Sequence, residues 1–233
     1  MAAQAGGRVC NSCMTANDAL EPSEGRIIAS HLNSNLERAG LPTVGHSIEA
    51  RFDTYLSLIL RWNARTSLTA IRDKEGIVAR HFVESIACAA AVPEGVQTLL
   101  DFGSGAGFPG IPIALCRPEI AVTLSESQNK KAAFLREAVR TLGIKAKVHG
   151  ERAEQLTTAF DCVVLRAVDR MEIAVSAASR LVSLSGWIMI MTTESELLSV
   201  QEAAGPGFTW QGNIKLPFSA DRIIALGQSR ATT

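Results

Sequence analysis

A glycine-rich turn between a short apolar run and an apolar helix constrains this chain more than any other feature. The stretch TLLDFGSGAGFPGIP occupies residues 98–112, with Thr98 to Leu100 as a buried strand that Asp101 closes. The glycines that follow are Gly103, Gly105, Gly107 and Gly110. Glycine permits a positive φ and lets a ligand approach the backbone, so the stretch predicts a cofactor-binding turn. The spacing by itself also fits a dinucleotide site or a plain turn between strand and helix.

Two carboxylates near the turn bear on which cofactor it takes. Asp101 precedes the first glycine, where its charge suits the cationic methionine end of S-adenosylmethionine and repels a pyrophosphate. Glu126 ends the next apolar run, 120–124, where a carboxylate can accept both ribose hydroxyls. NAD satisfies this second feature equally well. The carboxylates therefore favour S-adenosylmethionine and leave a nucleotide-cofactor oxidoreductase as an alternative.

The charge and hydropathy patterns limit the class of protein. The chain has 233 residues, with 23 Lys plus Arg and 23 Asp plus Glu, so any RNA binding must rest on local patches. No apolar run reaches the ~18 residues of a membrane span, and the first residues lack the pattern of a secretory signal. We therefore expect a soluble, cytoplasmic protein with no membrane partner.

The five cysteines fit a reducing compartment. Cys88, Cys116 and Cys162 lie in apolar segments and are expected to be small core residues. Cys10 and Cys13 form a lone CxxC pair, but zinc would need two further ligands and a redox pair would need a βαβ setting. An inert tail is the favoured interpretation, and no metal site is expected.

Three helices are predicted before the first strand. Residues 1–22 are small and polar, which predicts a disordered extension. Ser23 caps the first helix, which buries Leu32 and Leu36, and Asp73 caps the third. The three predicted helices span 24–39, 47–62 and 74–92. Together they form a helical N-terminal cap over residues 23–95.

Strands and helices alternate from residue 97 onward, in a methyltransferase domain expected over 96–230. The predicted strands span 97–102, 120–125, 144–149, 160–165 and 187–191, followed by a hairpin-like pair over 208–216 and 222–227. Ser127 caps the helix after the second strand and Gly143 ends it, and a helix over 170–184 follows the fourth. This order predicts an α/β fold: a Rossmann-like, doubly wound parallel sheet with a terminal antiparallel strand, as in class I methyltransferases.

Four stretches of the chain carry a more specific pattern. They are RWNARTSLTAIRD (61–73) with RHFVESIA (80–87), LLDFGSGAGFPGIPIALCRPE (99–119), LSESQNKKAAFLRE (124–137), and ERAEQL with DCVVLRAV (151–156 and 161–168). Over about residues 45–230 the chain resembles the bacterial RsmG, or glucose-inhibited-division protein B, family of small-subunit rRNA guanine-N7 methyltransferases. The resemblance implies methyl transfer from S-adenosylmethionine to N7 of guanine-527, in standard rRNA numbering, in the 16S rRNA of the small ribosomal subunit.

The resemblance also implies cofactor-binding residues beyond Asp101 and Gly105. It places Gly103 and Phe108 in the cofactor loop, Glu126 near the ribose, Ala153 and Glu154 at the adenine, and Arg166 where cofactor and base meet. Arg166 is thereby a candidate for orienting the base. Without the resemblance, Glu154 would be interpreted as an exposed carboxylate and Arg166 as part of a surface ion pair.

The chain departs from the family pattern at three positions. Ser67 stands where family members usually have Asn, and Glu84 where they usually have Asp. A Lys commonly follows the fifth strand, where this chain has Met191, Thr192 and Thr193. If that Lys contacts RNA phosphate, another residue of this chain must supply the contact or the RNA is bound more weakly.

Basic residues form two candidate RNA-binding patches. Residues 126–152 hold seven Lys or Arg against three acids, and Lys130 and Lys131 lie nearest the glycine-rich turn. Arg222, in the terminal β pair, matches a commonly basic family position. The second patch, on the cap, comprises Arg61, Arg65, Arg72, Arg80 and His81. Charged faces are often only solvated, and His81 fits a hydrogen-bonded structural residue better than a base.

The implied chemistry explains why no catalytic residue is assigned. Guanine N7 carries a lone pair and no proton, so it attacks the sulfonium methyl group without a general base. Positioning then supplies most of the rate enhancement. We expect a monomeric methyltransferase, with an rRNA-binding assembly factor that retains the cofactor pocket as the main alternative.

Overall fold

Helices form the first part of the chain in a computed structural model, which describes residues 31–230. Residues 31–38 are helical (α1), and α2 follows as His46–Asn63. A single turn, α3 (Lys74–Gly76), then runs without a break through the π-helical segment Ile77–Val83 into α4 (Glu84–Ala91). The three predicted cap helices are therefore confirmed where they are described, although the third contains a π-helical segment that its sequence did not predict.

The predicted buried leucines and the predicted Asp73 cap of the N-terminal helices are confirmed. Leu32 and Leu36 are buried, and Asp73 accepts the N–H of Gly76 at 2.6 Å, as an N-cap residue does. The predicted Ser23 cap, the 1–22 extension and the Cys10–Cys13 pair lie outside the described residues.

Eight strands form one sheet with the order β3-β2-β1-β4-β5-β8-β6, and β7 pairs with β8. They are β1 (Thr98–Phe102), β2 (Ala121–Ser125), β3 (Ala146–His149), β4 (Phe160–Arg166), β5 (Val182–Thr193), β6 (Phe208–Trp210), β7 (Ile214–Lys215) and β8 (Arg222–Ser229). The first five are parallel, and β8 is antiparallel to β5. The predicted doubly wound sheet with a terminal antiparallel strand is confirmed.

Four helices and two 3₁₀ turns connect the strands. The helices are α5 (Gly110–Cys116), α6 (Asn129–Leu142), α7 (Met171–Ser179) and α8 (Leu197–Ala204), and the 3₁₀ turns are Ala153–Gln155 and Glu194–Glu196. Cys88 and Cys162 are buried and Cys116 is half-buried, all as free thiols, so the three are core residues as expected. Within residues 31–230, no helix is long and apolar enough to cross a membrane.

The boundary between α7 and β5 differs from the prediction. The helix ends at Ser179 instead of 184, and β5 begins at Val182 instead of 187. The apolar Leu181 and Val182 extend the helical pattern of the sequence, whereas in the fold Val182 pairs with β4 ahead of a bulge. Ser185 takes a positive φ of 60° there, a conformation that local propensity does not predict.

Two further boundaries need correction. The N-cap of α6 is Gln128, not Ser127, and the Glu126 carboxylate accepts the Gln128 N–H at 2.7 Å. Gly143 ends that helix in a left-handed conformation, as predicted. The expected strand 208–216 is interrupted, and its two parts, β6 and β7, each pair with β8.

The cap and the sheet share one hydrophobic core. Tyr55 of α2 packs its ring 5.5 Å from that of Phe82, 5.4 Å from that of Phe108 and 6.4 Å from that of Phe134. These rings belong to the cap, the glycine-rich turn and α6, respectively. The cap and the sheet are packed together through this cluster. The predicted boundary at residue 95 between a cap domain and a methyltransferase domain therefore stays a prediction.

Candidate active site

A cavity of about 1240 Å³ opens where β1, β2, β4 and β5 end, beside the glycine-rich turn. The sheet order runs outward from β1 in both directions, to β2 and to β4. In open α/β sheets this is the point at which ligands bind. Residues of the π-helical segment and of the loop 68–71 close the cavity from the cap side.

The glycine-rich turn leaves space on its cavity side. Gly105 has a φ of +56°, and a Cβ there would meet only the Gly103 carbonyl oxygen, at 4.0 Å. Gly107 serves packing instead, because a Cβ would lie 2.5 Å from Ile111 Cδ1 and 2.8 Å from the Tyr55 hydroxyl. That hydroxyl donates to the Ala106 carbonyl, so the cap anchors the turn.

Asp101 stabilises the glycine-rich turn through its buried side chain. Its side chain is fully buried, and Oδ2 accepts the Gly110 N–H at 3.1 Å, while Oδ1 has no hydrogen-bond partner among residues 31–230. Burial raises the pKa of this carboxyl to about 7, although the hydrogen bond from the Gly110 N–H acts in the opposite direction. Asp101 does not line the cavity, so its predicted contact with the cationic end of the cofactor stays a prediction.

Glu126 lies at the end of β2 with both carboxylate oxygens occupied by main-chain donors. Oε2 accepts the Gly105 N–H at 3.0 Å, and Oε1 accepts the Gln128 N–H at 2.7 Å. The side chain is only 7% exposed and lines the cavity. The fold therefore fixes this carboxylate beside the open face of Gly105.

The remaining cofactor candidates come from three other elements and line the same cavity. Ala153 is buried and Glu154 exposed, both in the 3₁₀ turn after β3. Gly103 begins the turn with a φ of +76°, beside the side chain of Val168. Phe108 is 7% exposed and packs between the cap and Arg166, whose Cζ lies 5.9 Å from its ring centroid.

His81 is held as a neutral, stacked side chain. Its ring lies 4.6 Å from that of Phe108 with a 20° angle between planes, and Nε2 is 2.7 Å from Thr69 Oγ1. Burial, with the nearby charges of Arg166 and Arg80, lowers the pKa of His81 to about 3. This geometry agrees with the interpretation of His81 as a structural residue.

Glu84 connects three arginines at the cap side of the cavity. Its Oε2 accepts from Arg166 Nη2 at 2.8 Å, its Oε1 accepts from Arg222 Nη2, and Arg80 Nε lies 3.9 Å from Oε1. In the sequence, Glu84 stands out only as a departure from the family pattern. A charged residue between Val83 and Ser85, both buried, is the signal that could have found it.

The other predicted RNA-binding residues are distributed unequally around the cavity. Lys131 lines it, whereas Lys130 is exposed outside it. Arg61 instead pairs with Glu137 and links α2 to α6. Thr192, where the family commonly has Lys, donates to Glu196 at 2.9 Å, and its neighbour Thr193 pairs with Arg222 across the β5–β8 ladder.

This combination of sheet order, glycine-rich turn and carboxylate after the second strand defines a class I S-adenosylmethionine-dependent methyltransferase fold. A methyltransferase from Pyrococcus furiosus superposes with a TM-score of 0.57 at 14% identity, over 78% of this chain and 98% of that one. An S-adenosylmethionine-dependent methyltransferase from Aquifex aeolicus gives a TM-score of 0.53 at 15% identity, over 66% and 93%.

Sequence comparison identifies the family. The GidB family, described as rRNA small subunit methyltransferase G, matches residues 48–206. Ribosomal RNA small subunit methyltransferase G of Pelotomaculum thermopropionicum is 37% identical over 74% of this chain and 78% of its own length. The chain belongs to the GidB family and is a methyltransferase, which does not favour the oxidoreductase alternative.

Proposed function

We propose that this protein transfers a methyl group from S-adenosylmethionine to N7 of guanine-527 in the 16S rRNA of the small ribosomal subunit. The observation that carries the proposal is one continuous cavity with two different ends. The glycine-rich turn and Glu126 form one end, and Glu84 with its arginines forms the other. Family membership supports an rRNA substrate for a cavity of this kind.

The residues at the turn fit the cofactor. The free space beside Gly105 allows close approach to the backbone, and the fixed Glu126 carboxylate suits ribose hydroxyls. Gly103, Phe108 and Arg166 would complete this binding site, with Ala153 and Glu154 at the adenine and Asp101 supporting the turn. When bound, S-adenosylmethionine supplies an electrophilic methyl group on a sulfonium.

The protein's own contribution is to position the base. Guanine N7 needs no general base, and the neutral His81, which is hydrogen-bonded to Thr69 and stacked on Phe108, is a structural residue of the site. Arg166 and Arg222 can donate to guanine O6 or to a phosphate, as arginines do in nucleic-acid recognition. Holding N7 in line with the methyl group removes much of the entropic barrier.

Basic residues around the cavity suit an RNA substrate. Lys131, Arg80 and Arg222 line it together with the neutral His81, and Lys130 lies on the adjoining surface. We further propose that the protein acts as a monomer. A ribosomal substrate supports a cytoplasmic location.

Methyl transfer to defined RNA tests the proposal. Small ribosomal subunits and free 16S rRNA are prepared from a strain that lacks this enzyme and are incubated with labelled S-adenosylmethionine. We expect 7-methylguanosine at the predicted guanine. Cofactor binding by calorimetry without any transfer would overturn the proposal in favour of an assembly factor that retains the pocket. Absence of both would overturn the assignment of the cofactor site itself.

A further inference from the structure

Glu84 is a buried carboxylate in an unusual stretch of helix. It is 1% exposed and follows directly on the π-helical segment Ile77–Val83. Arg80, His81 and Glu84 all line the cavity, while Phe82 and Val83 between them are buried in the core. Single π-helical segments occur frequently at functional sites, because the wider turn changes which side chains share a face.

The partners of Glu84 come from three separate elements. Arg166 ends β4 and is 82 residues away in sequence, and Arg222 begins β8 and is 138 residues away. Arg166 Nη2 also donates to the Arg80 carbonyl at 2.8 Å. Among residues 31–230, Glu84 is the only carboxylate that forms an ion pair with Arg166 or Arg222. One negative charge therefore faces three guanidinium groups, which leaves the cluster positive.

The two arginines also have unused donors. Arg166 Nη1 and Arg222 Nε are buried and have no hydrogen-bond partner in the described part of the chain. Both side chains line the cavity and are 11% and 22% exposed, respectively. Buried donors of this kind are normally paired, so the cluster is complete only with an acceptor that another molecule brings.

We propose that Glu84 is a positioning residue that holds Arg166 and Arg222 as a pair, so that their guanidinium groups bind a phosphate of the target nucleotide. The inference rests on the proposed function and deepens it. A phosphate fits because it supplies several acceptor oxygens and negative charge to a positive cluster, and planar guanidinium groups match its geometry.

Kinetics of Glu84→Gln and Glu84→Asp test this role. The amide keeps the shape of the side chain but cannot accept from both arginines, so we expect kcat/KM for small subunits to fall about tenfold or more. The effect should fall mainly on the KM for RNA, with a smaller loss in the affinity for S-adenosylmethionine because Arg166 also borders the cofactor site. Glu84→Asp, which carries the usual family residue, should recover most of the loss.

Glu137→Gln is the matched control. Glu137 also joins the cap to the sheet domain, by accepting from Arg61 and from Trp62 Nε1, but it lies outside the cavity. The Glu137→Gln variant should have a lower Tm and an unchanged KM for RNA. The proposal would be overturned if Glu84→Gln also lowered only the Tm, or if it weakened only cofactor binding. So would failure of Glu84→Asp to recover activity.

Two further experiments distinguish failure of the Glu84 inference from failure of the proposed function. If Glu84→Gln does not fold, Arg222→Gln replaces it, and an unchanged KM for RNA in that variant overturns the inference. If the wild type transfers no methyl group, the proposed function fails. The inference is then decided by filter binding of a 16S rRNA fragment, in which Glu84→Gln must bind more weakly than Glu137→Gln.

Discussion

The two ends of the cavity are built in different ways. At the turn end, the Asp101 carboxylate accepts the main-chain N–H of Gly110, nine residues away in sequence. The Glu126 carboxylate accepts the main-chain N–H of Gly105, 21 residues away. At the arginine end, Glu84 reaches Arg166 and Arg222 over 82 and 138 residues through side chains alone. One end is therefore a local strand–turn–helix motif, and the other exists only when the cap has docked on β4 and β8.

The two ends also differ in charge. Asp101 and Glu126 place carboxylates around the turn, whereas Arg80, Arg166 and Arg222 surround a single carboxylate at the other end. An acidic end suits a cationic cofactor, and a basic end suits RNA. Variants that affect one end and spare the other test this division.

The largest effect is expected from a side chain on the open face of the turn. Gly105→Leu would place its side chain in the cavity, and we expect cofactor affinity to fall about 100-fold or more because the cofactor must approach this backbone. Isothermal titration calorimetry measures the loss. Gly143→Leu is the control, since Gly143 has a similar φ of +61° with nothing within 4 Å of its Cβ position.

Both glycine variants should lose about 1 kcal/mol of stability from the left-handed backbone, whereas only the first should lose cofactor binding. Equal cofactor affinity in the two variants would show that the turn end is not the cofactor site.

A smaller effect is expected from the protonation of Asp101. Its pKa of about 7 in the folded protein lies above the ordinary 3.8, so the folded state holds a proton that the unfolded state releases. The free energy of unfolding should therefore decline between about pH 4 and pH 7 in the wild type relative to Asp101→Asn. Urea titrations across this range measure the difference, and parallel curves for the two proteins would contradict the pKa assignment.

The same variant decides whether Asp101 acts on the cofactor or only on the turn. If the carboxylate attracts the cationic end, wild-type affinity should tighten severalfold as the pH rises through about 7, and Asp101→Asn should not show this dependence.

The smallest effect is expected from Lys131 at the rim of the cavity. Lys131→Gln should weaken RNA binding about threefold and reduce the slope of log K against log salt concentration by about 0.7, while cofactor affinity is unchanged. Lys130→Gln should do less because Lys130 lies outside the cavity. Lys145→Gln, at an exposed site outside the cavity, is the control, and a loss as large as that of Lys131→Gln would contradict the assignment.

Much of the fold could be predicted because its signals are local. The alternation of apolar runs and helical periods predicts five parallel strands. Asp73 marks a helix start by its side-chain cap, and Gly143 marks a helix end by its left-handed backbone. The errors lie where tertiary contacts override such signals. Val182 continues a helical pattern but pairs with β4, and Glu126 replaces Ser127 as the acceptor at the start of α6.

The sequence by itself determined the doubly wound sheet, the glycine-rich turn and the family, because these depend on periodicity and on glycines and carboxylates at short spacing. Only the tertiary structure decided the arginine end and the state of His81. Glu84, Arg166 and Arg222 become neighbours when α4 packs against the ends of β4 and β8, and burial together with the nearby arginine charges keeps His81 neutral. Side-chain contacts across 82 and 138 residues have no periodic signature, so a single sequence does not reveal them.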